Sequence, residues 1–600
     1  PMQLKKRSEI PVEETWNLQA LYKTEAAYEK ACKALDKRVK AFTSDQTPLK
    51  DPAAIAGRIK EFEALQVEEG LLGEYAHLYT ASDLTDPVNR ERMGKLEMLI
   101  AEWRPQLTAF INAIKNLPEA LLRKVMKADL GVKTFIEDIL REIPYKLGDE
   151  TETALAYLAP ATDLPYGVYQ QAKLADLSFE PFTVKGKQHP LSFVLFENSY
   201  QYEPDKAIRR EAFKAFSSKL STIRNTLATA YIGQVRTEKA MAKLRGHNSV
   251  FDYLLHEQRI PRAIYDQHID TIMEKLPAVM RKYALLMGKV HGIRKMHYSD
   301  LKLPLDPAYV PAVTIEEAKT YSRDALAVMG KEYMGIVDTM LDKRGIDWAQ
   351  NIGKSTGGFC SSPYGAKHSF ILLSFTNLLN NVFTLVHELG HAGHFGLANR
   401  AQPMFGTLPS LYFIEAPSTI NELLLADELV KRNDDPRYQR FVFSALVGNT
   451  YYHNYVTHFL EAYYQREVYR AIDRGEGLTA ESLSGMMKAT LQKFWGDAVE
   501  IDDDAALTWM RQPHYYMGLY PYTYSAGLSI GTKMAKRIRE EGQPAVADWI
   551  SALKAGGTLG PIDLAKTAGV DIQKKDMILE TIAYIDQLVD ACVDLTKKIK

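Results

Sequence analysis

Cysteine is scarce. The 600 residues hold three, Cys32, Cys360 and Cys592. An odd, widely spaced trio excludes a disulfide framework and a cysteine-built metal site, and it fits a reducing cytoplasm. Net charge is scarce too: 74 Lys and Arg stand against 75 Asp and Glu, a formal −1 at pH 7. That balance argues against a nucleic-acid or polyanion partner. No apolar run approaches the roughly 18 residues that a membrane-spanning helix needs, so no membrane partner is expected. The opening Pro1 to Arg7 carries charge without an apolar core behind it and does not read as a signal peptide. No internal repeat or low-complexity tract stands out. What remains is an ordinary globular composition, 46% hydrophobic and 25% charged, in a chain too long for one core.

Most of the chain shows helical periodicity. Glu13 to about Ala41, Pro52 to Thr80 and Arg90 to Ile114 read as long amphipathic helices in an antiparallel arrangement. Leu177 to Gln188 reads instead as a β-hairpin with Gly186 at its turn, and helical character resumes near Pro204. Ser299 to Thr314, with Pro304, Pro307 and Pro311, is an irregular crossing segment. These features predict an N-terminal helical lobe over 1–200 that ends in the hairpin, then a second domain over 201–600. From Val382 onward nearly everything is helical. The class is mainly α with a small sheet.

One stretch carries chemistry: His387-Glu388-Leu389-Gly390-His391, inside the largely apolar run Val382 to Phe395. Residues four apart share a helix face, so both imidazoles can grip one Zn2+ ion. Glu388 then sits where its carboxylate reaches the zinc-activated water as general base. More than two helical turns without proline precede the motif, which keeps that spacing. His256-Glu257 also reads as the start of such a motif, but Ile260 stands where the second histidine belongs. Gly353-Lys354-Ser355 suggests a phosphate loop, yet Trp348 occupies the position of its first glycine.

A third metal ligand is needed. His394 shares the face but lies about 10 Å along the axis from His387 at about 1.5 Å per residue, so it reads as packing. The motif extended by Gly and a third His also fails, because positions 394 and 397 are His and Leu. Glu415 is the better candidate. Leu411 to Leu429 reads as a loop entering a helix, with Pro417 in its first turn. Glu415 falls at the entrance, where the helix dipole favours the ionised carboxylate. Two histidines and one glutamate leave a fourth position open, which is the catalytic arrangement. Glu422, two turns further on, is placed either to orient a ligand histidine or as an ordinary helix carboxylate.

These stretches, His387 to His394 and Ile414 to Leu425, resemble the zinc site of the thimet-oligopeptidase-like metallopeptidases, and among them the oligoendopeptidase F group. Arg7 to Leu18, Gly357 to Leu373 and His514 to Gly527 resemble further segments of that group, so the likeness covers nearly the whole chain. The resemblance implies a large, two-lobed, multi-helix metallopeptidase with a deep substrate channel and a small sheet beside the zinc helix. It implies a cytoplasmic zinc metalloendopeptidase that hydrolyses internal bonds of short oligopeptides. A histidine and tyrosines from the C-terminal segment would reach over the metal to the substrate, which assigns catalytic roles to His514, Tyr520 and Tyr524. Tyr520 and Tyr524 share a face if Pro521 opens a helix. The other tyrosines of 515–524 remain candidates for packing alone. The apolar Ser369 to Phe375 is either a sheet edge that holds an extended peptide by main-chain hydrogen bonds or a buried strand, and the resemblance favours the edge. Where the group often carries an acidic residue before the motif, this chain has Asn380 and Asn381. The rival class is a catalytically silent peptide-binding helical protein. Its signature would be loss of Glu388, a ligand or the tyrosine segment, and all are present.

Overall fold

The computed structural model describes residues 4–599; residues 1–3 of the segment judged above for a signal peptide, and residue 600, lie outside them. Helix accounts for 72% of the structure and strand for 4%, so the chain is mainly α. The first long helix, α1, spans Glu25–Ser44, and Thr24 caps it by accepting from the Ala27 N–H at 3.1 Å. This corrects the expected start at Glu13. Residues 12–20 form two short 3-10 turns because Trp16 and Leu18 leave the helical register to pack on Leu78, Phe370 and Leu372. The backbone N–H of Trp16 donates to Asp347 at 3.2 Å and that of Asn17 to the Arg344 carbonyl at 2.8 Å.

Helices α2 (Pro52–Ser82) and α3 (Pro87–Lys115) lie close to their expected ranges, each with an aspartate cap and proline in the first turn. They share an apolar cluster running from Tyr28 to Ile139, and a larger cluster runs from Tyr169 to Cys592. Between them the expected hairpin forms from β1 (Phe182–Val184) and β2 (Lys187–His189). Its turn residues Lys185 and Gly186 both have positive φ, 50° and 78°, which matches the twist of a two-residue hairpin turn.

The sheet beside the motif has three strands: β3 (Ile346–Ala349), β4 (Phe359–Ser361) and β5 (Phe370–Phe375). Strand β5 lies in the middle, parallel to β3 and antiparallel to β4. The expectation that Ser369 to Phe375 is a free edge is therefore wrong. Phe370 to Leu373 are buried on both faces of the sheet. The two edges are β3, whose Asp347 and Ala349 carbonyls accept from Lys354, and β4. Lys354 is buried against Asp347 at 2.6 Å, with Arg7 on the same carboxylate at 2.8 Å, so Gly353-Lys354-Ser355 is structural.

The motif helix α4 spans Leu379–Ala401. Asn381 ties down its entrance by accepting from the N–H groups of Thr376 at 2.8 Å and Leu378 at 3.2 Å. Asn381 thus anchors the backbone at the start of the motif helix. Helix α5 spans Ala416–Arg432 and crosses α4 closely at Gly390, where a Cβ would lie 2.2 Å from the Pro417 carbonyl oxygen. A run of 12 π-helical residues, Leu446–Thr457, leads into α6 (His458–Asp473). Helix α7 (Tyr522–Glu541) packs on the start of α5, and Pro521 stands at its entrance.

Candidate metal centre and active site

Helix α4 presents His387 and His391 on one face, with ring centroids 5.2 Å apart. Glu415 stands one residue before α5, with Pro417 in the first turn as expected. Its Oε2 lies 3.4 Å from the Nε2 of His387 and 3.4 Å from the Nε2 of His391. Tetrahedral zinc with bonds of about 2.0–2.2 Å separates its donors by about 3.3–3.5 Å. Both Glu415 distances match that spacing, and the three donor atoms lie within 4.8 Å of one another, so the donor set suits such an ion.

The surroundings fit a cation as well. Glu422 accepts from the Nδ1–H of His387 at 2.6 Å, and Thr450 donates to the other Glu422 oxygen at 2.5 Å. Fixing the hydrogen on Nδ1 leaves the Nε2 lone pair free for a metal. Ser418 donates to Glu415 Oε2 at 2.8 Å. Three carboxylates, Glu388, Glu415 and Glu422, converge on two imidazoles, an excess of negative charge that a divalent ion balances. Burial would raise the Glu415 carboxyl, but the two imidazoles that face it, His387 and His391, outweigh burial and hold Glu415 well below the usual carboxylate range.

Glu388 is buried beside the sheet. A Cβ on Gly358, just before β4, would lie 3.6 Å from its Oε1, so the absent side chain keeps the approach to the carboxylate open. Burial pushes the Glu388 carboxyl up, against the pull of His387 and His391. A poised base thus stands next to the edge strand, where the backbone of an extended chain can pair.

His514, Tyr520 and Tyr524 come together. The rings of Tyr520 and Tyr524 lie 5.1 Å apart, and those of His514 and Tyr524 lie 5.6 Å apart. The Tyr524 hydroxyl is 3.4 Å from His514 Nε2. Both tyrosines sense the charge of Glu415. The neighbouring tyrosines face elsewhere. Tyr515 is buried against Tyr231, Tyr516 packs on Tyr169, and the Tyr522 hydroxyl donates to Gln258 at 2.6 Å.

His394 is fully buried, and neither ring nitrogen has a partner. It stacks on Phe395 at 4.9 Å, and burial drives its pKa down to about 3, so it is packing as expected. His256 bonds Glu142 at 3.1 Å, away from the site. Cys32, Cys360 and Cys592 are all free thiols. Sequence reasoning missed Thr450 and Glu461, which hold Glu422 and His514. Nothing local distinguishes either from an ordinary helix residue.

Comparison with known proteins decides the family. The model of peptidase family M3 matches residues 199–584, and one described as oligopeptidase F matches 114–179. The chain belongs to peptidase family M3. As a member it is an enzyme, a metalloendopeptidase of the zinc-dependent class. Among its relatives, the oligopeptidase PepF of Bacillus subtilis is 28% identical over 100% of this chain and 89% of its own length. An oligoendopeptidase F homologue of Borreliella burgdorferi is 27% identical over 96% of this chain and 97% of its own. The fold is shared with a Chlamydophila abortus structure at a TM-score of 0.88, with 22% identity over 99% of this chain and all of that one. The oligoendopeptidase-F of Enterococcus faecium superposes at a TM-score of 0.73, with 22% identity over 95% of this chain and 99% of that one. No helix among the described residues is long and apolar enough to cross a membrane.

Proposed function

We propose that this M3 peptidase hydrolyses internal bonds of short oligopeptides, with His387, His391 and Glu415 holding one zinc ion and Glu388 as general base. The convergence of the three donors carries the reading: both imidazole nitrogens lie 3.4 Å from Glu415 Oε2, and all three donor atoms lie within 4.8 Å of one another. A bound zinc supplies Lewis acidity and lowers the pKa of water at the open position. Every other role falls to the chain itself. Glu388 takes a proton from the attacking water and returns it to the leaving amine. His514, Tyr520 and Tyr524 donate hydrogen bonds to the oxyanion that forms on the carbonyl oxygen. The free edge of β4 pairs with the peptide backbone, which favours extended substrates without demanding one sequence. Glu422, braced by Thr450, holds His387 in the tautomer that a metal needs.

Supporting the oligopeptide substrate are the names of the relatives, matched over nearly their whole lengths. The division at residue 200 has support in the family models, whose matches end at 179 and begin at 199. Free thiols and the absence of a spanning helix among the described residues support a cytoplasmic location.

The test is cleavage of a quenched fluorescent peptide by the zinc-loaded chain. E388Q should lose about 10²–10⁴-fold in kcat, the scale of general base catalysis, with its zinc content unchanged. H387A, H391A and E415A should lose the ion by elemental analysis. Full activity in E388Q, or in protein stripped by chelator, would overturn the mechanism.

A further inference from the structure

Behind His514 lies a carboxylate that the reaction described above does not use. Glu461, on α6, is 4% exposed. Its Oε2 faces two imidazoles, His458 Nδ1 at 3.0 Å and His514 Nδ1 at 3.1 Å. A ring nitrogen this close to a carboxylate oxygen carries the hydrogen, so both rings are protonated at Nδ1. That leaves His514 Nε2 as the nitrogen facing Tyr524, at 3.4 Å from its hydroxyl. The other Glu461 oxygen is buried without any partner. Among the described residues no lysine or arginine pairs with the carboxylate; Lys302 acts on it at longer range. A buried carboxylate in this position needs compensating partners, and among the described residues His458 and His514 are the ones in contact with it.

His458 completes the brace. Its ring stacks on Tyr524 with centroids 3.9 Å apart and planes 14° apart. Its Nε2 lies 3.1 Å from His453 Nε2, and these two nitrogens share one hydrogen. His453 is buried, and that burial drives its pKa down to about 3, so it stays neutral. The series His453, His458, Glu461, His514, Tyr524 is one continuous chain of contacts ending at the substrate side. The groups facing His514 are Glu461, His458, Tyr520 and Tyr524.

We propose that Glu461 is the positioning residue for His514: it fixes the ring with its hydrogen on Nδ1, holds Nε2 on the side of Tyr524, and offsets the positive charge that the ring carries when it donates to the oxyanion. The inference rests on the oxyanion role of His514 given above. A rival use exists, since the nearest donor atoms of His458, Glu461 and His514 all lie within 4.8 Å of one another, a spacing open to a cation. Direct hydrogen-bond contacts of 3.0 and 3.1 Å favour the positioning role.

Steady-state kinetics on the zinc-loaded full chain separate the possibilities, with E461Q, H514Q and the double variant. E461Q should cost roughly 10²-fold in kcat, the scale of one oxyanion donor, with KM nearly unchanged. Added to H514Q it should cost little more, because both changes remove the same contribution. E461D should recover part of the loss. Metal content should stay at one ion per chain throughout. If H514Q leaves kcat intact, the role of His514 fails and this inference with it. If H514Q is impaired while E461Q is not, the positioning role alone is overturned. Two ions per chain with one lost in E461Q would assign the cluster to metal instead. Should E461Q fail to fold, imidazole nitrogen NMR of the unmutated chain decides: a His514 without hydrogen on Nδ1 overturns the proposal.

Discussion

At the scale of single residues, the site is a set of dependent contacts. His387 can offer its Nε2 only because Glu422 holds the other nitrogen at 2.6 Å, and Glu422 is itself held by Thr450. E422A should therefore weaken zinc binding by about 10–100-fold, as loss of such partners usually does. Competition against a chromogenic chelator would read this, and an unchanged affinity would show that His387 needs no support. His387, His391 and Glu415 were legible from sequence because four-residue spacing and a helix-opening proline are local signals. Thr450 and Glu461 were not, because their roles depend on where a distant helix passes. Tyr520 and Tyr524 were legible as a pair, since Pro521 does open the helix that sets them side by side.

Whole elements meet at distances that particular residues set. Helices α4 and α5 deliver the proposed ligands from opposite sides, and Gly390 fixes their separation. An added methyl at that position would stand 2.2 Å from a backbone oxygen that cannot rotate away. G390A should destabilise the fold by at least the ~1–3 kcal/mol of ordinary overpacking and reduce zinc retention with it. A urea midpoint matching the unmutated chain would mean that the two helices have slack. The small sheet shows the limit of pattern reading. Both β4 and β5 are short and apolar, and no periodicity says which lies at the edge. Trp16, far away in sequence, packs against both, with its ring 6.2 Å from Phe359 and 6.5 Å from Phe370.

For the whole molecule, mainly α architecture and the hairpin near 185 were readable from composition and periodicity. The docking of residues 7–18 under the catalytic sheet was not, because the helical pattern of that stretch hides its long-range partners. W16A should cost about 3–5 kcal/mol in denaturant unfolding. It should also raise KM more than it lowers kcat, because β4 loses its backing while the metal ligands keep theirs. Equal stability in W16A would detach the segment from the fold. Asp347, which ties the same segment down, adds a pH dependence. Burial would raise its carboxyl, but Arg7 and Lys354 outweigh burial and hold it below the usual range. A depressed carboxyl adds stability above its unfolded value of about 3.9, and that stability drains away as pH falls through the folded value. Unfolding measured downward from pH 6 should thus show a loss below about pH 4 that is smaller in D347N. The same dependence in both would exclude Asp347 as its source.

The clasp between Trp16 and Asp347 also has a meaning for the birth of the polypeptide. The two are separated by 331 positions. At roughly 5–20 residues added per second, the backbone N–H of Trp16 waits about 17–66 s on the ribosome before its acceptor exists. Leu78 and Ala81 give its ring one wall of the native pocket early, while Phe370 and Leu372, the sheet wall, arrive only when the middle of the message has been read.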